Sequence, residues 1–515
     1  MDNNQKIKQL EEKLWKAASY LWSHGSLKPT EYTFPILGII FLKFADAKQK
    51  QIIEKLKQEE FYADDEITSE AIKAYGWVYV PDKAKYDYLL FLPESENIGQ
   101  KLNQAMEKIE EYNERLKWVL PKNYEALTNE NLVYLLKSFS EIPENLENDA
   151  FGQIYEYFMW NFEKEAGQKW WEFYTPNSLV KLIVEIIEPH KGKIFDPACG
   201  SGWMFVQTAN YLRSKWIEPL WNLNVAWQEL KSQTIKIAKM NLAINWIEGQ
   251  IKEANSLYED IFDSIGKFDY VMANPPFNVD SFDVERIKTD PRYIFWLPSS
   301  KNANYLWIQI FYSALNQNWR AGFVMANSAM DARHSEAEIR KKLIESKVVD
   351  VMISVGPNFF YTVTLPCSLW FFDKWKLGTE RENKILFIDA KDIYRQIDRA
   401  HREFTPEQIE FISDIVRLYR WENFEIKNEL TKKHFPEGKY QDIPWLCKVA
   451  NLEEVAENGY SLNPWRYVGV KQEEEISEED FKDRLKALTR EFEELTKEAH
   501  KLEERILGNV KEILQ

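Results

Sequence analysis

Residues 192–202 read Gly-Lys-Ile-Phe-Asp-Pro-Ala-Cys-Gly-Ser-Gly, and this stretch decides the fold. A short apolar run, 193–195, ends at Asp196, and a glycine-rich turn follows at once. Gly200 and Gly202 allow the backbone to approach a ligand closely, and an acid at a strand end can hold a cationic amino group. A lone Gly-x-Gly pair is often only a tight turn, whereas the whole string DPACGSG is far more specific. The pattern therefore predicts a strand, a ligand-binding turn and then a helix.

Short apolar runs alternate with helical patterns around this stretch and beyond it. Such alternation predicts a doubly wound α/β sheet. In that fold, ligands bind beyond the carboxyl ends of the strands. The runs predicted to be strands are 193–195, 268–272, 321–325, 348–353 and 367–372.

A second motif, Asn274-Pro275-Pro276-Phe277, follows the run that ends at Ala273. The two prolines hold the loop rigid. The Asn274 side-chain oxygen and a backbone carbonyl can then both accept hydrogen bonds from one amine, and Phe277 offers a face on which an extruded base can stack. Taken alone, the motif is also consistent with a proline-rich turn. Its place after DPACGSG favours a catalytic loop that orients an exocyclic amine.

Further candidate ligand-binding residues stand near two strand ends and a helix start. Glu229 stands where the second strand should end, and an acid there typically binds ribose hydroxyls, although a solvated surface glutamate is the alternative. Asn255 stands near the third strand end and can contact a nucleobase, but a plain turn asparagine fits the pattern equally well. Thr175, before Pro176, is expected to cap a helix, and helix N-termini favour carboxylates.

The segments on both sides are predicted to be helical. Apolar residues recur at helical spacing at positions 10, 14, 17 and 21 and again at 102, 106, 109, 112 and 116, so we expect an N-terminal helical interaction domain.

Near the C-terminus, apolar residues alternate spacings of four and three. That seam predicts either a coiled-coil helix for a partner or a lone amphipathic helix on its own domain. It consists of Phe481, Leu485, Leu488, Phe492, Leu495, Ala499, Leu502 and Ile506.

The composition excludes several classes of protein. The 515 residues carry a net charge of −16, so the chain either binds a polyanion through a local basic groove, leaves that task to a partner, or never meets nucleic acid. Three cysteines far apart and six histidines disfavour a zinc site or a disulfide framework, and no metal is expected. No apolar run can span a bilayer, and the N-terminus has no signal peptide, so we expect a cytoplasmic protein without membrane contact.

The order FYTP (173–176), DPACGSG (196–202) and NPPF (274–277) resembles the gamma arrangement of DNA adenine methyltransferases. The surrounding text is similar to modification subunits of type I restriction–modification systems. This likeness extends over nearly the whole chain. The segments that carry it are YTFPILGIIFLKF (32–44), AFGQIYEYF (150–158), NANYLWIQ (302–309) and GYSLNP (459–464).

The resemblance implies an α-helical N-terminal domain at 1–147, a Rossmann-like α/β class I methyltransferase domain at 148–470 and a C-terminal coiled-coil-like helix at 471–515. The implied activity is transfer of a methyl group from S-adenosylmethionine to the 6-amino group of adenine in DNA, by in-line displacement without a covalent enzyme nucleophile. Asn274, Pro275, Pro276 and Phe277 would hold the flipped adenine. The residues implied to bind the cofactor are Tyr174, Thr175, Pro176, Asp196, Ala198, Gly200, Ser201, Gly202, Glu229 and Asn255.

The resemblance also implies partners besides DNA. Two copies of the subunit would assemble with one specificity subunit, whose long helices would pack against the C-terminal helix at 477–515. Because the specificity subunit reads the DNA sequence, it would explain the acidic charge of this chain. A restriction subunit that translocates DNA can join the complex. No P-loop sequence is present here, so ATP-driven cleavage would belong to that subunit.

Three alternatives to a type I modification enzyme are considered. A protein-glutamine methyltransferase shares an Asn-Pro-Pro loop, but it usually has tyrosine after the loop and lacks the FYTP segment and the heptad tail. A catalytically inactive assembly subunit would differ from the enzyme in cofactor binding. A solitary adenine methyltransferase would need no partner, which the acidic charge and the heptad tail argue against.

Tryptophan is unusually frequent in this chain, with 20 residues, and several stand where the family typically has glycine. A bulky side chain is costly where the backbone needs a positive φ or a close approach. One hypothesis is that these codons are UGA and specify glycine, as in some genetic codes, whereas Trp307 and Trp370 are genuine. The discordant positions are Trp118, Trp170, Trp171, Trp203, Trp246, Trp296, Trp319, Trp445 and Trp465.

Overall fold

A computed structural model of the chain divides into two compact units, Met1–Val468 and Gly469–Gln515. In the second unit the described residues are 469 and the helical Thr489 and Thr496, so the predicted heptad seam, from Phe481 to Ile506, lies outside them. Tyr174, Trp170, Trp171 and Trp246 also lie outside the described residues. The residues described are 3–23, 29–58, 67–75, 77–93, 95–144, 154–155, 157–159, 161–162, 175–217, 219–245, 247–280, 282–298, 302–360, 364–398, 401–469, 489 and 496.

Helices dominate the first part of the chain, and strands alternate with helices after it. The α-helices are α1 Asn3–Ser23, α2 Pro29–Gln58, α3 Ser69–Ala74, α4 Tyr86–Leu90, α5 Ile98–Tyr112, α6 Asn129–Ser140, α7 Asn177–Ile187, α8 Trp203–Ser214, α9 Pro219–Asn222, α10 Ser232–Ile244, α11 Val284–Ile287, α12 Asn304–Ala314, α13 Ser335–Glu345, α14 Pro406–Arg420, α15 Glu429–His434, α16 Leu452–Glu457 and α17 Trp465–Val468. The strands are β1 Gly192–Asp196, β2 Leu223–Glu229, β3 Gly249–Glu253, β4 Phe268–Ala273, β5 Leu315–Ala326, β6 Val349–Val355, β7 Cys367–Asp373, β8 Lys384–Asp389, β9 Arg395–Gln396, β10 Arg402–Glu403 and β11 Cys447–Asn451.

A nine-stranded sheet forms the centre of the first unit, in the order β11-β8-β6-β7-β5-β4-β1-β2-β3. β1 pairs in parallel with both β2 and β4, and β7 runs antiparallel to both of its neighbours. All five runs that the sequence predicts to be strands are strands of this sheet. The Rossmann-like α/β class and the helical N-terminal part are therefore confirmed.

The central strands of the sheet contribute to two hydrophobic cores, because successive side chains point to opposite faces. On β1, Ile194 belongs to one core and Phe195 to the other. On β4, Met272 and Val271 divide in the same way. Residues at the strand ends that point away from both cores are therefore available to contact a ligand.

The N-terminal helices share a third core, which includes Leu14 of α1 and Leu102 and Met106 of α5. The predicted helical repeat from 102 to 116 ends earlier than expected, because α5 stops at Tyr112 and Leu116 lies in a separate 3-10 turn. Trp203 and Val206 of α8 also belong to this core. The helices of residues 1–147 therefore pack directly on the first helix after the DPACGSG turn.

In the part of the chain that the structure describes, five tryptophans have a left-handed backbone: Trp118, Trp216, Trp296, Trp421 and Trp445. A left-handed backbone costs a residue with a Cβ about 1–2 kcal/mol relative to the right-handed form. Trp118, Trp296 and Trp445 are among the positions that the sequence marks as discordant. The discordant Trp203, Trp319 and Trp465 lie instead within α8, β5 and α17, so a positive φ does not explain them.

Within the described part of the chain, none of the helices combines the length and the apolar character needed to cross a membrane.

Candidate functional site

The carboxyl ends of three neighbouring strands meet at one edge of the sheet. β1 ends at Asp196, β2 at Glu229 and β4 at Ala273, and β1 lies between the other two. The chain crosses from β1 to β2 on one side and reaches β4 on the other. In doubly wound sheets, such a reversal of strand order opens a crevice that binds ligands.

The glycine-rich turn after β1 is pinned to the end of β2. The backbone N–H of Gly200 donates to Oε2 of Glu229 over 3.1 Å, and the N–H of Cys199 donates to the carbonyl of Gln228 over 3.2 Å. Gly200 has a φ of 53°, and an added Cβ would meet no atom within 4 Å. The turn therefore needs glycine for its backbone conformation, and it leaves free space where a ligand can approach.

Gly202 is required for a different reason. Its φ is 85°, and an added Cβ would lie 2.9 Å from the ring of Trp227 on β2. Trp227 is fully buried, so the ring has little room to move. Gly202 thus allows the turn to pack closely against Trp227 of β2. The next residue, Trp203, begins α8 and packs in the N-terminal core.

Asp196 is a buried acid, 2% exposed, whose Oδ1 accepts the N–H of Ala198 over 2.9 Å. Burial raises the pKa of Asp196 well above its usual range, the Ala198 hydrogen bond opposes this, and the nearby Glu229 adds to it. Among the described residues, none of the lysines or arginines is among the groups that shift this pKa. A cationic group from a ligand would therefore stabilise the ionised form of Asp196.

Glu229 carries a second perturbed carboxyl group. Burial raises the pKa of Glu229, while the N–H groups of Lys231 and Gly200 lower it by hydrogen bonding. Oε1 accepts from Lys231 over 2.9 Å, so both carboxylate oxygens are held by backbone. The carboxyl group is thus fixed in place at the end of β2, and the surface-glutamate alternative does not describe its surroundings.

The Asn-Pro-Pro-Phe loop follows β4 and bounds the same crevice. Asn274 is 9% exposed and Phe277 is 8% exposed. The ring of Phe277 meets Phe360 edge-on, with centroids 5.8 Å apart. That contact fixes the Phe277 ring, and a fixed aromatic ring at the cavity is suited to stacking of a flat base.

One cavity of about 630 Å³ joins the two motifs. Of the predicted site residues, those that line it are Ala198, Gly200, Ser201, Glu229, Asn255, Asn274, Pro276 and Phe277. Asp196, Gly202 and Pro275 do not line it, and neither do Thr175 and Pro176. Asp196 and Gly202 instead shape the turn that forms the wall, through the contacts above.

Two finer predictions have different outcomes. Thr175 is not the helix cap, because α7 begins at Asn177 with Pro176 at the cap position and without a side-chain cap. Pro176 has its φ at −53°, which already suits the first turn of a helix. Asn255 forms the predicted local turn, since its Oδ1 accepts the N–H of Leu257 over 3.1 Å. The residue also lines the cavity, and its contact with a nucleobase stays a prediction.

Several cavity residues are not predicted by the sequence. Trp307 of α12 lines the cavity. It lies in segment 302–309, whose resemblance to the family drew attention to the segment but predicted no role for Trp307. Its indole Nε1 is buried and has no hydrogen-bond partner among the described residues. Pro197 lies within the DPACGSG string but is not predicted to bind a ligand. The others have no local motif, and they are Leu230, Lys231, Thr234, Ala254, Ser256, Leu257, Asn278, Val279 and Asp280.

Cys199 lies within the turn but does not have the character of a nucleophile. Burial raises the pKa of its thiol well above the usual range, and the carboxyl groups of Glu229 and Asp196 add to this effect. A thiol must ionise to attack.

Within the described residues there is also no group of three or more His, Cys, Asp or Glu side chains arranged to hold a metal ion.

Comparisons with known proteins agree with this geometry. Residues 146–476 match the N-6 DNA methylase family, and residues 10–139 match the N-terminal domain of the HsdM proteins. The chain is 38% identical to the methylase subunit of the type I restriction enzyme MjaIX from Methanocaldococcus jannaschii, over 98% of this chain and 91% of the relative. It is 32% identical to the methylase subunit of the type I restriction enzyme HindI from Haemophilus influenzae, over 80% and 92%.

A solved structure has the same fold. It is the methyltransferase subunit of a type I restriction–modification system from Streptococcus thermophilus, with a TM-score of 0.73 and 22% sequence identity. The match covers 90% of this chain and all of the other.

Proposed function

The chain belongs to the N-6 DNA methylase family and to the methylase subunits of type I restriction enzymes, and from that premise we propose how its cavity performs the reaction. The reaction is S-adenosylmethionine-dependent methylation of the 6-amino group of adenine in DNA, and the chain is the modification subunit. The alternatives of a protein-glutamine methyltransferase and an inactive assembly subunit are not favoured.

The cavity residues fit S-adenosylmethionine. The open space at Gly200 and its positive φ allow the backbone to approach the cofactor. Asp196 is a buried carboxyl group without a basic partner among the described residues, which suits the amino group of the methionine part. Glu229 and Asn255 would hold the ribose and the adenine ring of the cofactor, while Ala198, Ser201 and Gly202 would shape the turn. Tyr174, Thr175 and Pro176 remain proposed cofactor residues from the family motif.

When bound, S-adenosylmethionine supplies an electrophilic methyl carbon on a sulfonium group. The chain's own residues would then orient the target base. Asn274 Oδ1 and the backbone carbonyl of Pro275 would accept the two N–H groups of the 6-amino group, which aims the nitrogen lone pair and favours the positive charge that develops. Phe277 would stack on the extruded base, and Pro276 would keep the loop rigid. The 6-amino nitrogen of the base would accept the methyl group that S-adenosylmethionine supplies and would release its proton to water.

The observation that carries this proposal is that Gly200, Glu229 and Asn274, from three separate strand ends, line one cavity. The test replaces Asn274 by Ala in the complex with its specificity subunit and measures transfer of tritiated methyl groups to DNA. We expect at least about a 100-fold loss of turnover, as for loss of a donor or acceptor at a developing charge, with unchanged cofactor binding by calorimetry. Asn458→Ala, far from the cavity in sequence and with its side-chain Nδ2 donating to the Glu454 carbonyl, is the matched control. Normal turnover by the Asn274 variant would contradict the assignment.

Partners follow from the family. Methylase subunits of type I enzymes act in complexes with specificity and restriction subunits and with DNA. The matched ranges 10–139 and 146–476 support domains at 1–147 and 148–470. From the family resemblance we propose that 471–515 is a tail for the specificity subunit and that a second copy of this subunit joins the complex.

The tail proposal is tested in the full chain. Leu488→Asp with Leu495→Asp places two charges on the predicted seam, seven residues apart. Thr489→Asp with Thr496→Asp adds the same charges one position away from the seam. Only the first pair should abolish co-purification with the specificity subunit, because buried charges disrupt a coiled-coil seam. Equal retention of the subunit by both pairs would exclude the seam as the contact.

A further inference from the structure

The loop after the Asn-Pro-Pro-Phe motif is held by the start of α12. The backbone N–H of Asn278 donates to Oδ1 of Asn304 over 2.9 Å, and Nδ2 of Asn304 donates back to Oδ1 of Asn278 over 2.9 Å. The two groups form a closed pair that joins the loop to the helix. Asn304 is 2% exposed, so water competes little for these bonds.

Neighbouring bonds reinforce this pair. Asn302 Nδ2 donates to Oδ1 of Asn278 over 3.2 Å, and the N–H of Asn304 donates to Oδ1 of Asn302 over 2.9 Å. The N–H of Ala303 donates to the carbonyl of Val279 over 2.9 Å. Asn278 itself has a φ of 51°, a left-handed conformation in which asparagine is more common than most residues. The chain therefore turns sharply directly after Phe277, and segment 302–304 holds that turn.

We propose that Asn304 is a positioning residue for methyl transfer: by holding Asn278 in its left-handed turn, it fixes Phe277 and Asn274 against the extruded adenine. The inference rests on the proposed function of the cavity. Asn304 does not itself line the cavity, so its replacement leaves the groups that meet the cofactor in place.

The test is Asn304→Ala in the complex with the specificity subunit. We expect kcat to fall about 10- to 100-fold, the range for a misplacement near 1 Å, while KM for S-adenosylmethionine and its calorimetric binding stay unchanged. DNA with 2-aminopurine at the target position should show altered fluorescence, because Phe277 no longer stacks correctly on the base. Asn304→Asp should not restore kcat, since its second oxygen would face Oδ1 of Asn278.

A second variant guards against a folding defect. Asn278→Gly leaves Asn304 intact, keeps the left-handed turn accessible and retains the N–H bond, so we expect a smaller loss than for Asn304→Ala. Asn302→Ala, which removes only the 3.2 Å bond to Asn278 and the bond to the N–H of Asn304, is the peripheral control. An unchanged kcat for Asn304→Ala, or an equal loss of cofactor binding, would overturn the positioning role. Failure of the unsubstituted complex to methylate DNA would instead contradict the proposed function itself.

A separate observation concerns tryptophan. Among the described residues, five of the 13 non-glycine residues with positive φ are tryptophans, although tryptophan supplies only 20 of the 515 residues of the chain. The side chains of Trp118, Trp216, Trp296 and Trp421 are also largely exposed, at 73%, 97%, 71% and 60%. Tryptophan is neither a residue that favours the left-handed region nor one that gains from exposure.

Two of these tryptophans close helices in the manner typical of glycine. After α14, the N–H of Trp421 donates to the Leu418 carbonyl over 3.2 Å, and the next N–H donates to Arg417 over 3.0 Å. After α8, Trp216 donates to Arg213 over 3.0 Å, and the next N–H donates to Leu212 over 2.9 Å. Both sets are Schellman motifs, whose left-handed position is usually glycine.

A third tryptophan stands in a turn that requires a positive φ. The N–H of Leu446 donates to the carbonyl of Ile443 over 3.1 Å, which closes a four-residue turn with Pro444 and Trp445 in the centre. Trp445 has a φ of 67°. Proline followed by a residue with positive φ is the pattern of a type II turn, and glycine is the usual residue at the second central position.

From these backbone positions we infer that glycine occupies 118, 216, 296, 421 and 445 in the native chain, through UGA codons that the cell decodes as glycine. Trp370 does not follow this pattern. It is fully buried in β7, and its Nε1 donates to Oγ of Ser368 over 2.9 Å. Trp370 is therefore a true tryptophan and is encoded by UGG.

Peptide mass spectrometry of the protein from its natural host, together with the gene sequence, tests this inference. We expect glycine masses at the five positions and a tryptophan mass at 370. A recombinant chain with the five glycines should unfold at a higher denaturant midpoint than the chain with tryptophan, whereas Trp370→Gly should lower the midpoint. UGG codons or tryptophan-containing peptides at the five positions would overturn the inference.

Discussion

Two buried carboxyl groups of the central sheet have opposite surroundings. Asp350 on β6 is fully buried; Nη1 of Arg381 donates to it over 2.9 Å and Nε of Arg420 over 3.0 Å, with Lys376 at 3.9 Å. Asp196 at the end of β1 is 2% exposed and has no such partner among the described residues. Burial alone would raise the pKa of both acids. At Asp350 the three cations lower it below the usual range, whereas at Asp196 it stays raised.

The difference between these two acids distinguishes a buried charge that stabilises the fold from one that is proposed to bind a ligand. A buried charge is tolerated when partners within the fold compensate it, and Asp350 ties β6 to the α14 helix in this way. Asp196 is left without compensation next to a cavity, which costs stability in the absence of a ligand. A cationic ligand group would supply the compensation that the fold omits, so the same substitution at the two acids should have opposite effects.

The largest effect is expected for Asp350→Asn. Loss of the charge removes the anion that Arg381 and Arg420 share, and Arg381 keeps only Asp373 while Arg420 keeps only the more distant Glu422 among the described carboxylates. We expect a loss of about 3–5 kcal/mol in the free energy of unfolding. Denaturant unfolding measures this value. Glu429→Gln, whose partner Lys432 is largely exposed, is the control and should change stability little. A neutral result at Asp350 would mean that the network contributes nothing to the fold.

Asp196→Asn should have the opposite effect on stability. The amide oxygen can still accept the Ala198 N–H, but the buried charge is gone, so the cofactor-free protein should unfold at an equal or higher temperature. Binding of S-adenosylmethionine should weaken by about 1.5–3 kcal/mol, the contribution of a hydrogen bond to a charged group. Thermal unfolding and calorimetry measure the two quantities. If the variant is less stable and still binds the cofactor, the functional interpretation of Asp196 is wrong.

The two acids should also respond oppositely to pH. Asp350 has a lowered pKa, so its contribution to stability is present above its unfolded pKa and is lost as the pH falls through its folded pKa. Asp196 has a raised pKa, so its contribution is present at low pH and is lost as the pH rises through the folded pKa. The stability difference between Asp196→Asn and the unsubstituted chain should therefore grow with rising pH, and saturating S-adenosylmethionine should reduce it. A flat difference across pH would contradict the raised pKa.

The smallest effect is expected for Glu229→Gln. Its carboxylate oxygens accept backbone N–H groups, and its proposed ligand groups are neutral hydroxyls, so the loss involves one ordinary hydrogen bond of about 1 kcal/mol. Calorimetry should show roughly five- to tenfold weaker cofactor binding. A loss as large as that of Asp196→Asn would assign the cationic group to Glu229 instead.

Local sequence was sufficient for much of this site. The apolar runs identified the strands because burial on both faces of a sheet requires continuous apolar residues. The end of β2 at Glu229 followed from the spacing of one α/β module. The helix cap was misassigned because a threonine before proline can serve as the cap or lie one residue outside it, and only the backbone conformation decides which.

The sequence by itself determined the strand runs, the glycine turn, the Asn-Pro-Pro-Phe loop and the helical N-terminal part, since each depends on residues close together in the chain. Only the tertiary structure decided that Trp307 lines the cavity, that Asn304 holds Asn278, and that Arg420 compensates Asp350 from 70 residues away. Such contacts depend on strand order and on how helices cross the sheet. Single-residue periodicity carries no record of which distant elements meet, so the compensation of a buried charge, or its absence, becomes visible only in the folded chain.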